Sequence, residues 1–255
     1  MGLMADANVI SVFVGIESPN EASLRETKKF QNVRAGGTML EKVRRIQDAG
    51  MEVWCGMILG FDNDDETIFD AQREFIREAR IVLAMIGMLY APPKTPLHDR
   101  LGREGRLDPA DESEFGTNVI PLKLSRAALR DGYVKVLNDL YEPGAYFGRL
   151  DDLFISSRLE VGRARTRYWR RHPWRRVKAE VRLAAQAVGL SVRLLLGIPE
   201  ASLRREYRGR IWRLAKSRRS PAVILGYVIS CAVHYHAHTM ARQIAGGKTR
   251  IYNSG

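Results

Sequence analysis

Three histidines near the C-terminus, in the run HYHAH, are the side chains of this sequence best suited by type to bind a metal ion. Imidazole is a common ligand for zinc, copper and iron. On a helix, His234 and His238 would share one face while His236 would point the opposite way, so at most two of them could meet one ion locally. No glutamate follows in HExxH order. A structural or surface role is therefore favoured, and we expect no stoichiometric transition metal to bind.

The two cysteines, Cys55 and Cys231, limit the redox and metal chemistry available to the chain. Two thiolates cannot complete an all-cysteine site for zinc or an iron–sulfur cluster, nor a disulfide scaffold of a secreted protein. Cys55 falls in an apolar run and is interpreted as a small core residue. The first ten residues lack the features of a signal peptide, so we expect a cytoplasmic protein.

Alternating apolar runs and amphipathic segments predict a parallel α/β layer in the first part of the chain. Buried strands are predicted within 9 to 16, 52 to 60 and 84 to 90, because each is a short apolar run without a helical period. Helices are predicted over 38 to 50 and over 62 to 80. The acidic run DNDDE, which opens the second of these helices, lacks the spacing of a calcium loop and is interpreted as a helix N-terminus.

Eight residues in or just after the predicted strands could have a role beyond the fold. These residues are Gly15, Glu17, Ser18, Gly56, Ile58, Gly60, Tyr90 and Ala91. Each glycine alone is explained as readily by a tight turn, and Glu17 by the start of the next helix. Their joint occurrence favours a site. The pair Lys28 and Lys29 could approach a carboxylate, although a solvated pair on a helix surface is the favoured interpretation.

The remainder of the chain is predicted to be helical, with a boundary between Leu107 and Ser125. The formal net charge of +12 is concentrated here, because residues 158 to 219 hold 19 Lys and Arg against 4 Glu. Two apolar stretches, 187 to 198 and 221 to 233, are too short to cross a bilayer. They could pack on the α/β layer, lie on an anionic membrane surface or, with the arginines and aromatics, contact nucleic acid. Packing is slightly favoured over the membrane, and nucleic acid is the least favoured.

Three segments carry a resemblance to a known family: VFVGIESPNEASLRETKKFQN, AGMEVWCGMILGFDND and IGMLYAPPKTPLHDRLGREGRL. In order and type they resemble radical SAM proteins that have an N-terminal cobalamin-binding domain and a DUF4070-like C-terminal extension. The resemblance runs over residues 1 to about 150. It implies the C-terminal half of a partial (βα)6 barrel over 1 to 110, with strands four to six, followed by an all-α extension over 111 to 255.

The resemblance also implies the chemistry of the whole enzyme. There a [4Fe–4S] cluster cleaves S-adenosylmethionine to a 5′-deoxyadenosyl radical, and cobalamin-dependent members pass a methyl group to an unactivated carbon. This chain lacks the Cys-x3-Cys-x2-Cys loop, the first three strands and the cobalamin domain, so it is expected to be inactive alone. Its own contribution would be the nucleoside side of the site.

In the barrel that the resemblance implies, ligands lie at the carboxyl ends of the strands, and the family assigns a part to each of these eight residues. Gly15, Glu17 and Ser18 would approach the ribose hydroxyls. Gly56, Ile58 and Gly60 match the family's Gly-x-Ile-x-Gly segment, in which the apolar side chain packs on the adenine, and Tyr90 and Ala91 would add ring and backbone contacts. The family often has an acidic residue three positions after the second glycine, whereas this sequence has Asn63 there, and that departure weakens the carry-over of a polar role at this position. The alternative function is a noncatalytic basic helical adaptor that binds a membrane surface or a partner.

Overall fold

A three-stranded parallel sheet forms the first part of the fold. The computed structural model describes residues 2–7, 9–26, 37–108, 116–157, 159 and 166–246. The strands are β1 (Ser11–Glu17), β2 (Glu52–Leu59) and β3 (Ala84–Met88), in the order β1-β2-β3 with both pairings parallel. The predicted strands and their parallel arrangement are confirmed. The pair Lys28 and Lys29 lies outside the described residues.

Five helices accompany the sheet in the described part of the first 110 residues. They are α1 (Gly2–Asp6), α2 (Glu21–Glu26), α3 (Met39–Asp48), α4 (Thr67–Glu78) and α5 (Pro96–Arg103). Helix α3 begins with a capping box, in which the Thr38 hydroxyl accepts from the Glu41 N–H and the Glu41 carboxylate accepts from the Thr38 N–H. It ends before Gly50, whose φ of 82° suits a glycine after a helix C-terminus.

Helix α4 begins later than the sequence predicted. The acidic run at 62 to 66 was expected to open the helix, but the first helical residue is Thr67. Only Asp65 acts near the helix start, where its carboxylate accepts from the N–H of Thr67. Asp62 and Asp64 turn back towards the end of β2 instead, because arginines and backbone N–H groups there satisfy their carboxylates.

The rest of the described chain is helical, as predicted. The elements are α6 (Arg126–Tyr141), α7 (Pro143–Asp151), a π-helical turn (Asp152–Ser156), α8 (Thr166–Arg171), α9 (Pro173–Gly197), α10 (Ala201–Ser217) and α11 (Pro221–Ala245). Ser125 caps α6 through its hydroxyl, which accepts from the Ala128 N–H at 3.0 Å. The chain is therefore α/β with a three-stranded parallel sheet followed by an all-α part.

One hydrophobic core joins the sheet to these helices. Helix α6 packs against β3, and the Tyr141 hydroxyl donates to the Ala84 carbonyl at 2.7 Å. The buried Arg149 of α7 donates to the carbonyls of Ile81 at 2.9 Å and Leu140 at 2.6 Å, so it ties the loop before β3 to the end of α6. Burial lowers the pKa of Arg149.

The two apolar stretches of the C-terminal part occupy different environments. The stretch 221 to 233 lies in α11 and contributes buried residues such as Tyr227 and Cys231 to the core, so one face of it packs within the protein. The stretch 187 to 198 lies in α9 as far as Gly197, where Ala187 and Leu194 are buried but Val188, Val192 and Leu196 are exposed. No helix in the described part of the chain is long and apolar enough to span a membrane.

Candidate functional site

The carboxyl ends of the three strands meet at one edge of the sheet, which we call the strand-end edge. Glu17 closes β1, Gly60 follows β2 and Tyr90 lies two residues after β3. Glu17 lies level with Met57, and the Leu89 N–H donates to the Leu59 carbonyl at 2.8 Å. Because all the strands are parallel, the predicted site residues come to this edge from three separate segments.

The backbone at Glu17 departs from regular strand geometry. The register of β1 on β2 shifts between Gly15 and Glu17, and Glu17 has a φ of 68°, a left-handed conformation that is uncommon for residues other than glycine. A β-carbon at Gly15 would lie 2.7 Å from the Glu17 Oε1 atom. The Glu17 carboxylate therefore lies over Gly15, and that space exists because residue 15 has no side chain.

The neighbouring Ser18 has a local structural task. Its hydroxyl accepts from the Asn20 N–H at 3.1 Å, and the Asn20 side chain accepts from the Ala22 N–H at 2.9 Å. These bonds form the entry to α2, so Ser18 and Asn20, rather than Glu17, start that helix.

One face of the sheet is open to solvent next to the strand-end edge. We call it the open face; it carries Phe13, Gly15, Trp54, Gly56, Ile58, Met85 and Gly87, which the strand register places on one side. Phe13 and Met85 are 56% and 61% exposed. The ring of Phe13 lies across Gly56, where a β-carbon would approach it to 3.2 Å, whereas a β-carbon at Gly87 would meet nothing within 4 Å. The open face is therefore apolar and accessible at Gly87, whereas the neighbouring Ile58 side chain is half-buried.

Gly60 is required by the turn that follows β2. Its φ is 99°, and a β-carbon there would lie 2.9 Å from Leu129 of α6. The buried carboxylate of Asp64 accepts from the N–H groups of Gly60 and Phe61 at 3.0 and 3.1 Å and from the Ser23 hydroxyl at 2.8 Å. Burial raises the pKa of Asp64, although these three hydrogen bonds oppose the shift. The aspartate therefore fixes the turn and joins it to α2.

Two further carboxylates, those of Asp62 and Glu26, also bind at this turn. Asp62 accepts from Arg100 at 2.6 Å and from Arg106, and Glu26 accepts from the side chain of Asn63 at 3.1 Å. Burial raises the pKa of Glu26, and the nearby Asp62 carboxylate raises it further. Burial also opposes ionisation of Asp62, but the hydrogen bonds from the two arginines outweigh it and hold the pKa of Asp62 below its usual value. Asn63, which stands where the resemblance expects an acid, is thus engaged with Glu26.

The end of β3 offers the ring of Tyr90 more readily than the backbone of Ala91. Tyr90 is half exposed. The Ala91 N–H donates to the Asn118 side-chain oxygen at 2.8 Å, and the Asn118 side-chain nitrogen donates to the Ala91 carbonyl at 2.8 Å. The backbone contact expected from Ala91 is therefore already made within the protein. Asn118 is distant in sequence, and no local pattern could have indicated this pairing.

The three histidines are arranged as the helical spacing predicted. His234 and His238 stack on one face of α11 with ring centroids 5.3 Å apart, and His236 is exposed. The Tyr207 hydroxyl donates to His234 Nδ1, and both His234 Nε2 and His238 Nδ1 contact the Tyr141 carbonyl, at 3.2 and 2.9 Å. Burial lowers the pKa of His234 to about 3. No group of three potential metal ligands occurs among the described residues.

A cavity of about 710 Å³ lies at the opposite end of the sheet. The amino ends of the strands line it with Ser11, Glu52 and Trp54, and the walls are completed by α9 and α11. Burial raises the pKa of Glu52 to about 7, although a hydrogen bond with Trp54 opposes the shift. None of the predicted site residues lines this cavity.

The strand-end edge fits one half of a nucleoside-containing cofactor. A carboxylate that lies over a glycine can accept hydrogen bonds from two adjacent hydroxyls, and the apolar open face beside Ile58 can pack against a flat base. The residues do not fit an iron–sulfur cluster, because the two cysteines of the chain are both buried in the core and cannot supply three ligands. Fold and edge together define a parallel α/β layer of the partial-barrel class with a helical extension.

Comparison with known proteins identifies the family. A family model described as a domain of unknown function (DUF4070) matches residues 95–250. The chain is 32% identical over 264 residues to an uncharacterized methyltransferase of Synechocystis sp., and 30% identical over 253 residues to the hopanoid C-2 methylase of Rhodopseudomonas palustris. These alignments cover 100% and 98% of this chain but 45% and 44% of the relatives. A bacteriochlorophyllide d C-12(1)-methyltransferase of Chlorobaculum tepidum is 28% identical over 54% of the chain and 30% of the relative.

The chain belongs to the cobalamin-associated radical SAM family that carries a DUF4070 domain, and it corresponds to the C-terminal portion of such proteins. It spans about 45% of the length of the two relatives that it matches throughout. No solved structure matches the chain. The three strands are those of the C-terminal half of a partial (βα)6 barrel.

Proposed function

We propose that the strand-end edge supplies the nucleoside side of an S-adenosylmethionine site in a radical SAM methyltransferase. The Glu17 carboxylate over Gly15 carries this proposal, because it is an acceptor for ribose hydroxyls beside the apolar surface of Ile58. Ser18 would line the same end of β1, Gly56 and Gly60 would allow the backbone to approach the base, and Tyr90 would contribute its ring. The backbone of Ala91 is bound by the Asn118 side chain, so Ala91 would contribute by holding the chain after β3 in position.

The other cofactors would be held outside this chain's residues. We infer that a [4Fe–4S] cluster and cobalamin are bound by an N-terminal half-barrel and a cobalamin-binding domain, which act as partners of residues 1–110. Together the cofactors supply the radical chemistry and the methyl group. The names of two relatives, a hopanoid methylase and a bacteriochlorophyllide methyltransferase, support methyl transfer as the reaction. Residues 111–255 would form the helical extension.

A reconstitution experiment tests the proposal. The N-terminal portion of the hopanoid C-2 methylase is co-expressed with this chain, and the release of 5′-deoxyadenosine from S-adenosylmethionine is measured. The relative's own C-terminal portion, supplied in the same way, shows that the split enzyme can assemble. We expect cleavage with this chain and none with the chain alone.

The residue-level test replaces Glu17 by Gln, which keeps its size and removes its charge. A hydrogen bond to a charged group contributes about 1.5–3 kcal/mol, so the apparent KM for S-adenosylmethionine should rise at least about tenfold. Glu21→Gln, on the exposed surface of α2, is the matched control and should leave it unchanged. Assembly without cleavage, in the presence of a working control, would favour the noncatalytic adaptor.

A further inference from the structure

Helix α9 has two opposite apolar faces, and only one of them packs against the protein. Ala187 and Leu194 are buried on the inner face. The opposite face, which we call the outer stripe, consists of apolar side chains that are 50% to 85% exposed: Trp174, Val177, Val181, Val188, Val192 and Leu196. A soluble amphipathic helix normally places charged or polar side chains on its outer face. The outer stripe is the reverse of that pattern.

The spacing of the outer stripe makes it continuous. Its residues follow one another at intervals of three, four or seven, so they form a single line along the helix axis. From Trp174 to Leu196 the line is about 33 Å long, at about 1.5 Å per residue. Scattered exposed apolar residues are ordinary, but a contiguous line of this length marks a surface that binds something.

A row of basic side chains runs beside the outer stripe. Arg175, Lys178, Arg182 and Arg193 are exposed and lie about one residue further round the helix than the apolar positions. The acidic residue of α9, Glu180, lies on the opposite side and pairs with Arg176 at 2.7 Å. The outer surface of the helix therefore combines apolar area with positive charge.

We propose that α9 lies in the surface of an anionic lipid bilayer, with the outer stripe among the acyl chains and the basic row at the lipid headgroups. A bilayer surface is the partner that offers both an apolar layer and negative charge along a straight line of this length. Nucleic acid would meet the basic row but would leave the outer stripe in water. A second copy of the chain would bring two basic rows together, and like charges oppose that contact.

A vesicle flotation assay tests the proposal on the intact chain. Vesicles of phosphatidylcholine with phosphatidylglycerol should bind the chain, and vesicles of phosphatidylcholine alone should bind it at least about tenfold less. Salt should release the chain, because the screening length of charge interactions falls to about 3 Å at 1 M. Val181→Asp and Val188→Asp should each weaken binding about tenfold or more. Arg182→Gln should weaken it about fivefold, as expected for one basic residue near an anionic surface.

Two substitutions elsewhere serve as matched controls. Leu122→Asp places the same charge at an exposed apolar position outside α9, and Arg44→Gln removes an exposed arginine from α3. Both should bind vesicles like the unchanged chain. Circular dichroism verifies the helix content of every variant, and Arg182→Gln, an exposed and conservative change, decides the outcome if the aspartate variants unfold.

Several results would overturn the proposal. These are equal binding to neutral and anionic vesicles, unchanged binding by Arg182→Gln, and salt-sensitive binding to nucleic acid that is tighter than binding to lipid. A dimer in light scattering that Val181→Asp dissociates would assign the outer stripe to a second copy of the chain instead.

Discussion

Single residues decide the shape of the strand-end edge. Glu17 adopts a left-handed backbone conformation that costs on the order of 1 kcal/mol for an ordinary residue, and such strain persists where the surrounding structure enforces it. Asp64 holds the turn after β2 by accepting three hydrogen bonds in a buried position. The residue that shapes this turn is therefore Asp64. The sequence pattern instead predicted a helix start here, and the resemblance pointed to the position of Asn63.

Glu52, in the cavity at the far end of the sheet, gives a test of burial by pH. Its pKa is raised from 4.5 to about 7. Between these two pH values the folded chain therefore holds a proton that the unfolded chain has lost. Stability should therefore be greatest below pH 4.5 as far as this group is concerned, and should fall as pH rises through about 7. Glu52→Gln should remove that fall and be more stable than the parent at pH 8, by up to about 3 kcal/mol.

Urea unfolding at pH 5 and pH 8 measures this difference. Glu78→Gln, on the exposed surface of α4, should show no such change between the two pH values. Equal pH dependence in the parent and in Glu52→Gln would mean that water or a counter-charge reaches the carboxylate. The two arginines of the cavity wall have other partners, since Arg176 pairs with Glu180 and Arg218 donates to the Phe154 carbonyl at 2.8 Å.

At the scale of elements, the hydrophobic period predicted the strands, α3 and α6 because each pattern matches one buried face. The same reasoning placed the start of α4 too early, since Asp62 is bound by an arginine distant in sequence and Asp64 by backbone N–H groups of the turn after β2. It also treated packing and membrane contact as alternatives for the stretch 187 to 198. Helix α9 has one apolar face that packs on the protein and a second apolar face that is exposed. The spacing of apolar residues in the sequence cannot distinguish two such faces from one wide face.

The contact between α4 and α6 gives a matched pair of glycine substitutions. A β-carbon at Gly132 of α6 would overlap the ring of Phe69, whereas one at Gly148 of α7 would meet nothing within 4 Å. Gly132→Ala should lower the free energy of unfolding by about 1–3 kcal/mol through overpacking. Gly148→Ala should raise it by about 0.5–1 kcal/mol, because alanine favours a helix interior over glycine.

Urea titration of both variants checks the sign of each effect. If Gly132→Ala were as stable as the parent, helices α4 and α6 would have to be farther apart than the structure shows. A destabilised Gly148→Ala would indicate a contact on the exposed side of α7.

At the scale of the whole molecule, the sheet separates two regions with different chemistry. The strand-end edge gathers Glu17, Gly60 and Tyr90, and the opposite end closes over the cavity that contains Glu52. One core connects the sheet to the helical extension, so the outer stripe of α9 is held in a fixed relation to both. Family membership and the fold followed from three sequence segments. The partners of Ala91 and the second face of α9 required the tertiary structure.

The most direct test of the central claim is a backbone amide chemical-shift titration of the isotope-labelled chain with S-adenosylmethionine. Half of a site should bind weakly, with a Kd of about 1 mM, which corresponds to about −4 kcal/mol. We predict that the largest shifts fall on residues 15 to 18, on 56 to 60 and on Tyr90, and that Glu17→Gln abolishes them. A nucleoside site at the strand-end edge would be contradicted if the shifts were confined to Glu52 and Trp54 at the cavity. It would also be contradicted if about 10 mM ligand, tenfold above the expected Kd, caused no shifts.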